Sequence, residues 1–300
     1  MKVNILLTGA TGFLGRHLLK SLMENDFTVS ILVRKSSDIN SLVSQKKPIK
    51  IYLIEDEDLE SLFCLNNFEA IIHTATSYGR KNETKDEIFY INYRFPKLLL
   101  ELSGKYKVKY FLNTDTFFNK EIDLPSGLDY YVTSKKEFLD YSEKFSVKDK
   151  YATIFVNMTI YQMYGPGDSK EKFTTYLIGQ LINNSKELNL TSCKQTRDFI
   201  YVLDVVRAIL HIIAFRKQII NRFVNFNIGT GIETSLKEMV LATKQLCSSE
   251  TKLNFGNLKQ RNGEIMRSVA NNKSLLNLGW KPLYTLDEGL KQTIQSTNNI

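Results

Sequence analysis

From the N-terminus, short apolar runs alternate with longer stretches in which apolar residues recur at helical spacing. The runs at Val3–Thr8, Thr28–Val33, Ile49–Leu53, Ala70–His73, Lys109–Asn113 and Ala152–Asn157 predict strands. The stretches at Phe13–Glu24, Asp58–Leu65, Asp86–Lys105 and Asp129–Lys144 predict helices. Strands separated by helices pair in parallel through right-handed crossovers, with helices on both faces of the sheet. Ile31-Leu32-Val33 and Ala70-Ile71-Ile72 are continuously apolar, as strands covered on both faces are. The expected class is therefore α/β with a doubly wound parallel sheet.

After Asn157 the rhythm changes. Gly165-Pro166-Gly167-Asp168 signals a turn, followed by predicted helices near Phe173–Asn183 and over Asp204–Phe215 and a predicted strand at Phe223–Asn227. Thr234-Ser235 suits the cap of a helix running to about Cys247, and Thr285 the cap of a last helix from Leu286. We expect a first domain over 1–160 and a smaller C-terminal α/β domain over 161–300. Part of 196–215 is expected to return to the first domain.

Composition narrows the function classes. A chain of 300 residues with 43% hydrophobic residues folds without staples. Cys64, Cys193 and Cys247 are too scattered for a disulfide framework, which points to a reducing compartment. No apolar run approaches the roughly 18 residues of a spanning helix. The apolar opening stops at Thr8-Gly9, where a cleavage site would otherwise stand, so we expect a cytoplasmic protein with no membrane partner. Lys and Arg number 40 against 32 Asp and Glu, a net charge of +8. That excess suits a nucleic-acid binder, a membrane-surface protein or an enzyme with anionic ligands.

The first turn favours the last of these. Gly9-Ala10-Thr11-Gly12-Phe13-Leu14-Gly15 follows a predicted strand and opens a predicted helix, the arrangement of a Rossmann dinucleotide site. One glycine permits the sharp turn, one lets backbone approach a pyrophosphate, and one allows close helix–strand packing. Thr11, Phe13 and Leu14 stand at the helix N-terminus, whose amides and positive dipole end face the phosphates. The second strand ends in Val33-Arg34-Lys35-Ser36-Ser37, where an NAD site would carry an acid. Arg34, Lys35 and Ser36 suit a 2′-phosphate, so NADP (NADPH) is the expected cofactor. Asp56 is a candidate for the adenine, and Thr74, Ala75 and Thr76 are expected to line the cofactor.

Tyr131 and Lys135 stand four apart on a predicted helix and therefore share a face. An ammonium beside a phenol lowers its pKa toward the range of acid–base chemistry. A third member should be a hydroxyl at the end of the fifth strand; Thr114 and Thr116 both qualify, and spacing does not separate them. Tyr78-Gly79-Arg80 is placed to meet a sugar or phosphate, and Lys172 a nucleobase. Three histidines, His17, His73 and His211, build no metal site, and we expect none.

Gly9/Gly12/Gly15, His73-Thr74-Ala75, Asn92, Thr114, Tyr131/Lys135, Tyr164-Gly165-Pro166-Gly167-Asp168 and Arg197-Asp198 resemble, in this order, an extended short-chain dehydrogenase/reductase of the nucleotide-sugar-modifying branch. Asn113–Phe118, Met163–Asp168, the Gln260–Met266 stretch and Ser268–Asn272 are similar to the 4-reductases of CDP-linked dideoxy sugars within it. The resemblance implies Thr114 as the catalytic hydroxyl and Asn92 as part of the cofactor set. It implies Arg197 and Arg261 as diphosphate ligands and Gln162 near the nucleotide. Thr116 falls, on the substrate side, where dehydratases of the family carry glutamate and GDP-fucose synthase carries cysteine. Threonine performs neither proton transfer readily, so simple reduction of an NDP-4-keto-6-deoxysugar is implied. On this reading the nucleotide is CDP, GDP or dTDP, and a homodimer is expected by analogy. A 4-epimerase and a non-catalytic NADP-sensing regulator are the alternatives. Arg34, Lys35, Lys135, Arg197 and Arg261 then assign part of the +8 to two anionic small molecules. The remaining basic residues are spread along the chain and form no nucleic-acid module.

Overall fold

The computed structural model describes residues 2–39, 42, 49–80, 82–120, 127–148, 152–261 and 263–298. The chain runs β1 (Val3–Thr8), α1 (Phe13–Glu24), β2 (Phe27–Val33), β3 (Lys50–Leu53), α2 (Leu59–Leu65), β4 (Ala70–His73), α3 (Lys85–Phe89), α4 (Phe95–Lys105), β5 (Tyr110–Thr116), α5 (Asp129–Ser146) and β6 (Ile154–Ile160). It continues through β7 (Gln162–Tyr164), α6 (Phe173–Ile182), β8 (Glu187–Leu190), β9 (Thr196–Arg197), β10 (Phe199–Tyr201), α7 (Val202–Ala214) and β11 (Phe223–Ile228). The last elements are β12 (Thr234–Ser235), α8 (Leu236–Leu246), β13 (Lys252–Phe255), β14 (Arg267–Ser268), α9 (Lys273–Asn277) and α10 (Leu286–Asn298). Two compact units emerge, the first from Met1–Asn119, Gly127–Thr159 and Ile212–Phe226, the second from Ile160–His211 and Asn227–Ile300. Among the described residues no helix is long and apolar enough to cross a membrane.

In the first unit the strands form the expected doubly wound parallel sheet, in the order β11-β6-β5-β4-β1-β2-β3. From β1 the chain steps outward to β2 and β3, then returns to β4 on the other side. Strand order therefore reverses between β1 and β4, both of which pair in parallel with their neighbours. Ligands of open α/β sheets bind beyond the carboxyl ends of the strands at such a reversal. The central strands are covered on both faces, which is why they read as unbroken apolar runs. Leu6, Ile71, Phe111 and Phe155 sit in one buried cluster with Leu99 and Phe138 from helices α4 and α5. Phe111 and Phe155 stack with centroids 5.6 Å apart. Truncating Phe111 to alanine would cost about 3–5 kcal/mol, the usual price of emptying an aromatic core site.

Two local departures from the predicted elements shape the region beyond the strand ends. Strand β5 runs to Thr116, three residues past the predicted end at Asn113, and all seven of its residues are buried. Polar Asn113-Thr114-Asp115-Thr116 looks like a strand exit in sequence, yet here it stays extended. Thr114 and Thr116 therefore share one side of the strand. The predicted helix Asp86–Lys105 is broken into α3, a π-helical turn over Tyr90–Arg94, and α4. Pro96 near the start of α4 has no amide for the Asn92 carbonyl, and the Phe95 amide bonds back to the Tyr90 carbonyl instead.

The second unit holds three small sheets, β10-β7, β12-β9-β14 and β13-β8. Their strands of two to four residues carry too little alternation to be predicted from sequence. Two buried carboxylates tie the unit together. Asp198 accepts from Thr230 (amide and hydroxyl), the Gly231 amide and the Ala270 amide. Asp204 accepts from Arg207 and the amides of Leu283 and Tyr284.

Candidate active site

The three glycines of the first turn do different things. Gly9 has φ +72°, and a Cβ there would lie 2.5 Å from the Ala75 nitrogen. A Cβ on Gly15 would lie 2.0 Å from the Gly9 carbonyl oxygen. Both positions are closed by the protein's own backbone. Gly12 is not: its φ of −74° and ψ of 172° suit any residue, and the nearest atom to a Cβ is the Gly9 oxygen at 3.2 Å. The absent side chain at Gly12 leaves the N-terminus of α1 approachable from outside. No side chain caps that terminus and its first turn holds no acid. The Gly12 amide donates to the Gly9 carbonyl at 2.9 Å, so Thr11, Phe13 and Leu14 present the backbone at the positive end of the helix dipole, and a pyrophosphate fits this cradle. Thr74, held by its hydroxyl to the Thr8 carbonyl at 2.7 Å, closes the other side with Ala75 and Thr76.

At the end of β2, Arg34, Lys35 and Ser36 are all exposed. Arg34 makes no ion pair among the described residues. Lys35 does: its Nζ lies 2.5 Å from Asp56 Oδ1, and its backbone amide donates to Glu55. Asp56, expected at the adenine, thus forms an exposed ion pair with Lys35. Arg34 stands out as the cation that could meet a phosphate. Asn92, implied as part of the cofactor set, has internal partners. It is fully buried, with Oδ1 accepting from the Ser77 amide and Nδ2 donating to the Ser77 carbonyl and Ser134 Oγ. Its amide holds the loop after β4 to helix α5.

Helix α5 presents Tyr131 and Lys135 on one buried face, 6% and 2% exposed. Lys135 Nζ donates to the Thr114 carbonyl at 2.9 Å, and burial pulls its pKa down to about 8 against the opposing pull of Asp115. Tyr131 departs from the expected direction. Burial, then the neighbouring Tyr78, hold its phenol well above the ordinary range, while a hydrogen bond with Thr116 and the charge of Arg80 oppose the shift. Desolvation outweighs any nearby cation, so the phenol is held protonated. Tyr78 packs on it with ring centroids 4.9 Å apart, and Arg80 lies 5.4 Å over the Tyr78 ring.

Both threonines of β5 point toward this region, with different partners. Thr114 Oγ1 donates to the His73 carbonyl at 3.0 Å, which leaves its oxygen as an acceptor. Thr116 is the hydroxyl hydrogen-bonded to Tyr131. His73 itself is a core residue: Nδ1 meets Thr8 Oγ1 at 2.8 Å, and Phe95, Phe111 and Phe138 surround the ring. Sequence reasoning passed over Asp115. Burial raises its pKa, opposed by Lys135, Asn157, the Thr116 amide and Asn119. A carboxylate between two candidate hydroxyls at a strand end was the available signal.

The remaining predicted residues lie in the second unit. Arg197 is mostly buried and pairs with Glu264 at 2.6 Å. Arg261 is exposed, and its neighbour Asn262 lies outside the described residues. Gln162 is half-buried on β7. Lys172 pairs with the buried Asp168 at 3.1 Å.

Comparison with known proteins agrees with this architecture. The model of the NAD dependent epimerase/dehydratase family matches residues 5–229. The CDP-abequose synthase of Salmonella typhimurium strain LT2 is 33% identical over 303 residues, covering 98% of both chains. That of Salmonella muenchen is 34% identical over 296 residues, covering 97% of this chain and 96% of the relative. Among solved structures, the UDP-glucose 4-epimerase of Thermotoga maritima with UDP-glucose superposes with a TM-score of 0.82 at 25% identity, covering 99% of each chain. The UDP-glucuronic acid 4-epimerase of Bacillus cereus, in complex with UDP-glucuronic acid and NAD, shares the fold with a TM-score of 0.83 at 23% identity. With the glycine turn, the Tyr131/Lys135 pair and a family match over most of its length, the chain belongs to the NAD-dependent epimerase/dehydratase family, the extended short-chain dehydrogenases/reductases.

Proposed function

We propose that the chain is an NADPH-dependent reductase of the C4 ketone of a nucleotide-linked 4-keto-6-deoxy or 3,6-dideoxy sugar. The observation that carries this reading is the buried Tyr131/Lys135 face of α5 beside the Thr114 and Thr116 hydroxyls of β5, with a threonine and no carboxylate or thiol at position 116. Ketone reduction needs an acid at the forming alkoxide, and a protonated phenol is one. Water elimination, or epimerisation by carbon deprotonation next to the ketone, would need a carboxylate or thiol where Thr116 stands. The two relatives named CDP-abequose synthase support a deoxysugar substrate.

Bound NADPH supplies the hydride. Tyr131 gives its proton to the ketone oxygen, and Lys135 on the same helix face stabilises the phenolate left behind. The Thr114 oxygen and the Thr116 hydroxyl orient the ketone and the phenol. Gly12 would admit the pyrophosphate of NADPH, and Arg34 would hold its 2′-phosphate. On this reading Arg197 and Arg261 are the sugar-nucleotide diphosphate ligands, with Gln162 and Lys172 near the nucleoside. Arg197 would exchange Glu264 for phosphate, a substitution guanidinium geometry permits.

The test is a screen of CDP-, GDP- and dTDP-linked 4-keto-6-deoxysugars with NADPH and with NADH. Net cofactor oxidation that favours NADPH and vanishes in Tyr131→Phe is the expected result. No oxidation with any sugar refutes the proposal; tightly held NAD and interconversion of C4 epimers would mark a 4-epimerase. Tyr90, Leu98 and Tyr130 expose large side chains on α3–α5 and the turn between them, which supports a homodimer. Light scattering on the purified, cytoplasmically expressed protein checks that.

A further inference from the structure

Behind the Tyr131/Lys135 face lies a set of polar side chains that the proposed reaction does not itself employ. Asn157 on β6 is fully buried, and both ends of its amide are engaged. Its Oδ1 accepts from Asn113 Nδ2 of β5 at 2.8 Å. Its Nδ2 donates to Asp115 Oδ2 of β5 at 2.9 Å and to Asn225 Oδ1 of β11 at 2.8 Å. Thr159 donates to the same Asn225 oxygen at 3.0 Å. On the other side, Asn119 Nδ2 donates to Asp115 Oδ1 at 2.7 Å, while Asn119 Oδ1 is buried with no hydrogen-bond partner among the described residues. Each Asp115 oxygen therefore receives an amide N–H, and Asn119 is turned to serve the carboxylate at the expense of its own carbonyl.

The geometry has a chemical direction. Amide N–H groups can only donate, and a carboxylate accepts at both oxygens, whereas a carboxylic acid offers one O–H that would face a donor. The pattern fits an ionised Asp115. In a buried setting an ionised carboxylate needs a counter-charge, and the buried Lys135 ammonium of α5, which donates at 2.9 Å to the carbonyl of Thr114 just before Asp115, is the cation at this strand end.

We propose, building on the reductase reading, that Asp115 is the buried counter-charge that keeps Lys135 protonated, and that Asn157 and Asn119 are positioning residues that hold Asp115 ionised. The other titratable groups facing the pair are few. Across from Lys135 on β4, His73 is kept neutral by burial and by Lys135 itself. On α5, Tyr131 feels Asp115 and stays protonated; Tyr78 and the exposed Arg80 act on Tyr131 from the loop after β4. Among these groups Asp115 alone supplies negative charge to Lys135.

The test reads Lys135 directly and needs no substrate. Lysine residues labelled at 13Cε are titrated by NMR in the full-length protein, and the Lys135 resonance is identified by its loss in Lys135→Met. The wild type should show a midpoint near 8 and a separate, smaller inflection at acid pH where Asp115 protonates. In Asp115→Asn the acid inflection disappears and the Lys135 midpoint moves about one pH unit or more toward acid. In Asn157→Leu the Lys135 resonance persists and the acid inflection moves to higher pH. Asn119→Ala should move it in the same direction and serves where Asn157→Leu fails to fold. An unmoved Lys135 midpoint in Asp115→Asn overturns the counter-charge. An unmoved acid inflection in both asparagine variants overturns the positioning role. Because no turnover is measured, these outcomes stand apart from failure of the sugar screen, which would sink the reductase reading alone.

Discussion

Gly12 and Gly15 separate binding from folding, and a pair of alanine substitutions tests that separation. In Gly12→Ala the new methyl meets only the Gly9 oxygen, at 3.2 Å, and the backbone is already in a region any residue adopts. Stability should therefore change by less than about 1 kcal/mol, the unfolded-chain entropy of a Gly→Ala change offsetting mild crowding. The same methyl stands where a pyrophosphate must approach the first amides of α1. Losing one charge-assisted hydrogen bond costs about 1.5–3 kcal/mol, roughly a tenfold to hundredfold rise in Kd. In Gly15→Ala the methyl would sit 2.0 Å from the Gly9 oxygen and 2.9 Å from the Ala10 Cα, so the turn must shift. Overpacking of that kind costs about 3 kcal/mol, or roughly 6–12 °C in Tm. Titration of NADPH fluorescence and thermal melting measure the two effects on the same samples. Gly12→Ala that binds NADPH as tightly as wild type would refute the reasoning, whatever its Tm.

Further expectations concern charge and proton transfer. Arg34→Ala should weaken NADPH by about tenfold or more and leave NADH unchanged, while Lys35→Ala, already paired with Asp56, should do less; isothermal titration with both cofactors decides. Lys135 has a folded pKa near 8 against 10.5 for the free group, so the unfolded chain binds more protons between those values. Stability should rise as pH climbs from about 8 to 10.5, by about 3 kcal/mol from this group, and urea melts of Lys135→Met should lack that rise. Thr116→Val removes the hydroxyl bonded to Tyr131 and should lower kcat about tenfold to hundredfold with KM little changed; an unaltered kcat would leave Thr114 as the working hydroxyl. Arg197→Lys should raise KM for the sugar nucleotide about tenfold without altering NADPH affinity, as steady-state kinetics would reveal.

What could be read from sequence was what is local. Gly9, Gly12 and Gly15 lie within one strand–turn–helix, and Tyr131 and Lys135 are joined by the geometry of a single helix turn. The alternation of apolar runs and helical stretches gave the doubly wound sheet for the same reason. Burial was the hidden quantity. It reversed the expected direction for the Tyr131 phenol, since desolvation outweighs a neighbouring cation and no spacing reports it. Partnerships across distant strands were hidden too. Asn157 meets Asn113 across 44 residues and Asn225 across 68, and only the order β5-β6-β11 brings them together. Arg197 and Glu264 are 67 residues apart, so a residue read as a phosphate ligand carried no sign of its internal partner.

The central claim is reduction at C4 with Tyr131 as the acid. Its most direct measurement uses NADPH deuterated at the nicotinamide C4, incubated with the accepted nucleotide-linked 4-keto-6-deoxysugar, with the product examined by NMR. Deuterium found only at sugar C4, in wild type and not in Tyr131→Phe, is the predicted result. A product with deuterium at another carbon, or C4 reduction undiminished in Tyr131→Phe, would contradict the account.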